Sequence, residues 1–276
     1  MSAQPLLTGQ GRIYVTVTDG AGRASKVERD AEAFHVWEGG TVRPVVSAGP
    51  AVESPAIIVI VHGFATADAV DVRKALNAFV QTVRQSSPNA RIAIIGDVKT
   101  PVLSGISTDA ARIDEITRRF ASSGSNLLYF EAIVDAAKAL GKEASDRRII
   151  ASFTKSTRHD ADHQTTQETL EALKKSMASV WCIDVTPDDS SSQRNMKPTT
   201  EMDGFISHAP DYSGGTLDRM FGTGAMEASA RRMAEAVLSQ YQVTFARPER
   251  RGESEIRVGV AGKPGEKAAA PGWFVK

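Results

Sequence analysis

The chain has 276 residues, 41% of them hydrophobic and 24% charged, the balance of a soluble globular protein rather than a low-complexity one. Lys and Arg number 33 and Asp and Glu number 33, so no net charge draws the protein toward nucleic acid or an anionic membrane. No apolar run reaches the length that spans a bilayer, so membrane insertion is not expected.

The segment Met1 to Gln10 has neither a basic n-region nor an apolar h-region, so no signal peptide is expected there. The location is then cytoplasmic, or extracytoplasmic if a leader has been removed. Cys182 is the only cysteine, which excludes an intrachain disulfide. It lies in the apolar run Val180-Trp181-Cys182-Ile183 and reads as a small core residue.

The first fifty residues read as β structure. Ile13, Val15 and Val17 alternate with Tyr14, Thr16 and Thr18, and Asp19-Gly20 marks a turn. Phe34 and Val36 alternate with His35 and Trp37, and Gly39-Gly40 turns the chain into a strand over 42–46. At Pro55 the pattern changes. Ile57-Ile58-Val59-Ile60-Val61 is continuously apolar, as a strand covered on both faces must be. Val72, Ala75, Leu76, Phe79, Val80 and Val83 then form one helical stripe over 68–85.

The alternation repeats. Strands are expected over 92–95, 149–153 and 180–185. A short helix is marked by Ala110, Ile113, Ile116 and Phe120, and a longer one runs over 127–140. Thr165 followed by Glu168 is a capping box that opens a helix through Met177. Residues 188–198 are polar and read as a loop. Ala230, Met233, Ala234, Val237, Leu238 and Tyr241 stripe a last helix. The β pattern returns at Val243, Phe245, Ile256, Val258 and Val260.

Strands alternating with helices imply an α/β fold with a doubly wound, mostly parallel sheet. The two β-rich ends are expected to pair as one small β module, because chain ends often lie close together. The expected organisation is a β segment over 1–50, an α/β domain over 51–242 and a β segment over 243–276.

Several stretches, in order, resemble a von Willebrand factor A (VWA) domain. Residues Ile57 to Val83 resemble its opening strand, loop and helix, and Arg91-Ile92-Ala93-Ile94-Ile95 its second main strand. Gly124-Ser125-Asn126-Leu127 resembles its Gly-Gly-Thr-x-Leu loop, and Asp211-Tyr212-Ser213-Gly214-Gly215 the Thr-Gly-Gly turn before its last helix. The flanks Val15-Thr16-Val17-Thr18-Asp19, Leu238-Ser239-Gln240-Tyr241 and Pro271-Gly272-Trp273-Phe274 are similar to those of bacterial VWFA-related proteins.

The resemblance implies a Rossmann-like fold and a metal site at the carboxyl ends of the strands. This chain departs from that site. Its Asp-x-Ser-x-Ser motif falls on His62-Gly63-Phe64-Ala65-Thr66, where only Thr66 keeps a hydroxyl. Ser125 stands for the loop threonine, and the aspartate of Thr-Asp-Gly falls on Lys155. An ammonium there would repel a divalent ion by several kcal/mol at protein-like dielectric. Lys155 then either donates to Ser125 or Thr66 or is solvated. The expectation is a non-catalytic protein-binding module with no metal and no cofactor. Its binding face is His62, Phe64, Thr66, Ser125 and Lys155, with Phe64 an interface anchor or a lid over the old site.

Two alternatives use other residues. His159 and His163 lie four apart, and with His62 and a carboxylate they could bind zinc as an adhesion domain or metalloenzyme would. Val61-His62-Gly63-Phe64 also resembles the segment before an α/β-hydrolase oxyanion hole. No Gly-x-Ser-x-Gly nucleophile elbow accompanies it, and Gly204-Phe205-Ile206-Ser207-His208 has the wrong spacing.

Overall fold

The computed structural model describes residues 9–19, 22–25, 27–96, 105–120, 127–155, 164–186, 201–247 and 252–274. In chain order the strands and helices are β1 (Gln10–Thr18), β2 (Phe34–Glu38), β3 (Thr41–Arg43), β4 (Val45–Pro50), β5 (Ala56–His62), α1 (Ala69–Ser86), β6 (Arg91–Gly96), α2 (Ala110–Arg119), α3 (Tyr129–Gly141) and β7 (Arg148–Lys155). They continue with α4 (Thr166–Ser176), β8 (Ser179–Thr186), α5 (Glu201–Ser213), β9 (Leu217–Phe221), α6 (Met226–Leu238), β10 (Tyr241–Ala246), β11 (Ser254–Val260), β12 (Lys267–Ala269) and β13 (Trp273–Phe274).

The middle of the chain builds a parallel sheet in the order β6-β5-β7-β8-β9. All seven residues of β5 are buried, because helices cover both faces of the sheet. Odd positions such as Ile57, Val59, Val61 and Phe153 share a core with α1, α2 and α6. Even positions such as Ile58, Ile60, Ile150 and Cys182 share one with α3, α4 and α5. This is the doubly wound arrangement expected. The connections reverse between β5 and β7, the point where open α/β sheets place ligands.

The two ends of the chain build a pair of antiparallel sheets, β12-β1-β10-β4 and β13-β11-β2-β3. Ile13, Val15, Phe34, Val36, Val243, Phe245 and Ile256 form the core between them. The terminal segments therefore complete each other: β1 pairs with β10 and β12, and β2 with β11.

Several local expectations need correction. The strand expected over 42–46 is split at Pro44, so that β3 pairs with β2 and β4 with β10. Proline has no N–H to give a ladder, and the chain changes sheets there. Tyr241 does not belong to the last helix. It begins β10 opposite Pro50 and Val15, after α6 stops at Leu238. Asp211–Ser213 is the last turn of α5 rather than a turn before the final helix, and β9 follows it. The helix α5 is not among the elements expected from the sequence; Gly204 and Pro210 lie inside it, and packing of Met202, Phe205, Ile206 and Ala209 under the sheet holds it.

The capping box at α4 forms as its spacing implies. The Glu168 N–H donates to Thr165 Oγ1 at 3.2 Å, and the Thr165 N–H donates to Glu168 Oε2 at 2.9 Å. Thr165→Ala is expected to lower stability by about 1 kcal/mol, read as a lower urea midpoint at unchanged m-value.

Candidate functional site

The carboxyl ends of β5 and β7 lie side by side, with His62 opposite Thr154. After His62 the chain turns at Gly63, whose φ of +79° suits glycine. Phe64 then folds inward, and a 3-10 turn over Thr66–Asp68 leads into α1. Asp68 organises this turn. Its N–H donates to the Ala65 carbonyl at 3.0 Å, and its Oδ2 accepts the Ala65 N–H at 3.0 Å.

Lys155, at the end of β7, reaches across to this carboxylate. Its Nζ donates to Asp68 Oδ1 at 3.2 Å and to Oδ2 at 3.0 Å. The two side chains are 25% and 14% exposed, so the pair is partly withdrawn from water. The sequence offered donation to Ser125 or Thr66, or solvation, for Lys155; the structure instead pairs it with Asp68. Asp68 was not anticipated, because it lies outside the motif that the resemblance highlights. The available signal was a carboxylate in the first turn before an amphipathic helix.

The structure brings His62, Phe64, Thr66 and Lys155 to one end of the sheet but turns them in different directions. Phe64 is 1% exposed and belongs to the α1–α6 core, so it is not presented to a partner as an anchor. Thr66 is exposed on the 3-10 turn. His62 is buried on the opposite face of the sheet, its ring 5.3 Å from that of Tyr129. Ser125, His159 and His163 lie outside the described residues. Among the described residues, no three His, Cys, Asp or Glu side chains group as metal ligands.

On the face away from α1, a row of polar residues crosses four strands in register: His62, Thr154, Asp184 and Arg219. Arg219 Nε donates to Asp184 Oδ2 at 3.0 Å, and its second amino group donates to Ser207 Oγ at 2.8 Å. One layer deeper, Tyr129 Oη lies 2.9 Å from Ser152 Oγ and 3.9 Å from Cys182 Sγ. Burial pushes the Cys182 thiol up to about 12, so it is protonated at neutral pH. Burial also raises the Tyr129 hydroxyl well above the ordinary tyrosine range.

The rim of this end carries two exposed apolar side chains. Val70, in the first turn of α1, is 53% exposed, and Phe221, at the end of β9, is 51% exposed. The hydrogen bond from Thr223 Oγ1 to Asp71 Oδ2, at 2.7 Å, draws their two segments together. Val70 lies off the Val72–Val83 stripe of α1, so helical periodicity puts it on the outer face, whereas Phe221 carries no such signal.

No family model matches this chain, and no curated protein matches it. Among solved structures, it is similar to the SpRpn10 VWA domain at 12% identity and a TM-score of 0.46, over 64% of this chain and 94% of that one. It is also similar to the human COPII-coat protein Sec24c at 10% identity and a TM-score of 0.44, over 79% of this chain and 43% of that one. The chain thus spans less than half of the Sec24c chain. Its fold class rests on its own sheet order. Among the described residues, no helix is long and apolar enough to cross a membrane.

Proposed function

We propose that the protein is a non-catalytic, VWA-type protein-binding module that needs no metal at the carboxyl end of its sheet. The observation that carries this reading is the Lys155–Asp68 pair at the β5–β7 switch point. The lysine ammonium stands where the resemblance puts a metal-site carboxylate, and it already engages the carboxylate nearest to it. A divalent ion placed there would meet a fixed positive charge and would have to break this pair. Val70 and Phe221 supply the apolar contact on the rim that Phe64, being buried, does not.

Two measurements test this reading. Elemental analysis of gently purified protein is expected to find no stoichiometric Mg, Ca or Zn, and millimolar MgCl2 is expected to leave the melting temperature unchanged. One equivalent of bound metal would overturn the metal-free reading. Protein captured from host extract by the wild type is expected to be lost with Val70→Ser/Phe221→Ser. Equal recovery by both would remove the rim as the binding face. Separately, Lys155→Ala is expected to lower stability by about 1–2 kcal/mol, between the values for exposed and buried pairs, as followed by urea unfolding.

A further inference from the structure

The antiparallel sheets carry a second surface, on strands β2, β3 and β11. Phe34, Val36 and Ile256 point into the core there, while the alternate residues His35, Glu255 and Arg257 point outward and are exposed. Trp37 stands in the middle of this outer face. Its cross-strand partners are Val42 on β3, which is 63% exposed, and Arg257 on β11. Trp37 is itself partly exposed. Neither its indole N–H nor the His35 ring hydrogen-bonds to a described residue.

Gly259 pairs with His35 and so lies diagonally across from Trp37. A Cβ on Gly259 would lie 3.2 Å from Cζ3 and 3.3 Å from Cη2 of the indole. The six-membered ring of Trp37 therefore lies down over the Gly259 backbone, in the space that the missing side chain leaves. One face of the indole is covered by the sheet, and its exposed surface is the opposite face. His35 flanks it, with ring centroids 6.1 Å apart. The result is a flat aromatic platform on the outside of the β module.

Charge and size narrow the choice of occupant. The charged residues that these strands turn outward, Arg257 and Glu255, cancel each other. Arg257 Nε and one amino group both donate to Glu255 Oε1, at 2.9 and 2.8 Å. Among the described residues, Glu255 Oε2 and the other amino group are left open to a ligand. A nucleic acid would need surplus cations for its phosphates. The row Val42–Trp37–Arg257 crosses three strands, about 10 Å. A protein partner of standard size needs about 800 Å² on each side. A sugar ring meets both limits. It is uncharged, its C–H groups give one apolar face for stacking, and the hydroxyls at its edge both donate and accept.

We propose that this face binds a neutral carbohydrate, with one pyranose ring stacked on Trp37 and its hydroxyls bonded to His35, Arg257 and Glu255. This site is independent of the Lys155–Asp68 pair and of the Val70–Phe221 rim.

The test applies the full chain to an array of neutral and of sulfated or sialylated glycans, then titrates the glycans that retain it by isothermal calorimetry. Neutral glycans are expected to be retained, with an affinity that does not change as salt rises from about 50 to about 300 mM. Binding is expected to fall roughly tenfold with Trp37→Ala, and Trp37→Tyr, which keeps a ring, is expected to recover part of it. Arg257→Ala/Glu255→Ala alters only exposed side chains, leaves the core intact, and is expected to weaken binding roughly five- to tenfold. Val70→Ser/Phe221→Ser is expected to bind as the wild type does. The proposal is overturned if no neutral glycan is retained, if retention needs a charged glycan, or if either Trp37→Ala or Arg257→Ala/Glu255→Ala binds as tightly as the wild type.

Discussion

Gly215→Ala is expected to prevent the protein from folding stably, while Gly204→Ala leaves it as stable as the wild type or slightly more so. Gly215 sits where the chain leaves α5 for β9. A Cβ there would lie 1.8 Å from the Val180 carbonyl oxygen and 2.6 Å from its carbon. Both are backbone atoms of β8, held by pairing with β7, so neither can move without breaking the ladder. Its own N–H is fixed by the Pro210 carbonyl at 2.8 Å, and the next carbonyl, of Thr216, accepts the Cys182 N–H at 2.8 Å. Gly214 is equally constrained, with a φ of +85° and an added Cβ only 2.6 Å from Pro271 N. The expected loss for Gly215→Ala is at least about 4–5 kcal/mol, the range reached only when packing is severely violated. Gly204 lies inside α5 with open space around it, and alanine there should add about 0.4–1 kcal/mol. Chemical denaturation of the two variants, compared with the wild type, checks the pair. A Gly215→Ala protein with a native midpoint would show that the α5–β9 corner yields more than its backbone contacts imply.

Arg147→Met carries the second large effect. Arg147 is buried at the amino end of the sheet, between the α/β layers and the antiparallel sheets. Its Nε donates to Gln240 Oε1 at 3.0 Å, one amino group donates to the Glu53 carbonyl at 3.0 Å, and the other donates to the Val237 carbonyl. The bonds continue outward. The Asp146 N–H and the Tyr14 hydroxyl donate to the Glu53 carboxylate, and Gln240 Nε2 donates to Thr16 Oγ1 at 3.4 Å. One guanidinium thus ties the segment before β5, the end of α6 and, through Gln240, strand β1. Burial lowers its pKa to about 10, so it remains charged at neutral pH. Methionine would fill much of the volume but leave three buried acceptors without this donor, at about 1–3 kcal/mol for each one left unsatisfied. A loss of about 3–5 kcal/mol is expected, as when one partner of a buried charged network is removed. Arg147→Lys should recover only part of it, since an ammonium does not reproduce the planar fork of donors. Arg23→Ala, which removes an exposed pair with Asp19, should cost under about 1 kcal/mol and serves as the control. Equal midpoints for Arg147→Met and Arg23→Ala would show that the junction does not depend on this residue.

Much of the architecture was legible in the sequence because it rests on period. The continuous apolar run Ile57–Val61 admits a strand only if both its faces are covered, and the i, i+3, i+4 stripe from Val72 to Val83 admits one helix face. The alternation at Ile13, Val15 and Val17 gave β1, and Thr165 with Glu168 gave the start of α4. Where local signals compete with packing, reading the residues misled. Pro44 concealed a change of sheet, and Tyr241 continued a helical stripe although it begins a strand. In each case long-range pairing or burial outweighed local propensity.

The candidate site divides in the same way. Sequence placed His62, Phe64, Thr66 and Lys155 at one end of the sheet, because strand order and parallel direction follow from the alternation of elements. It also put His62 and Lys155 at the positions where the resemblance expects carboxylates, which is a matter of residue type. Orientation and partnership came only with the tertiary structure. Phe64 turns into the core, Lys155 finds Asp68 across 87 residues of chain, and Val70 and Phe221 are left on the rim. Side-chain direction at the end of a strand depends on the turn that follows, and an ion pair depends on which loops the sheet order makes neighbours. Neither is a property of any single stretch of sequence.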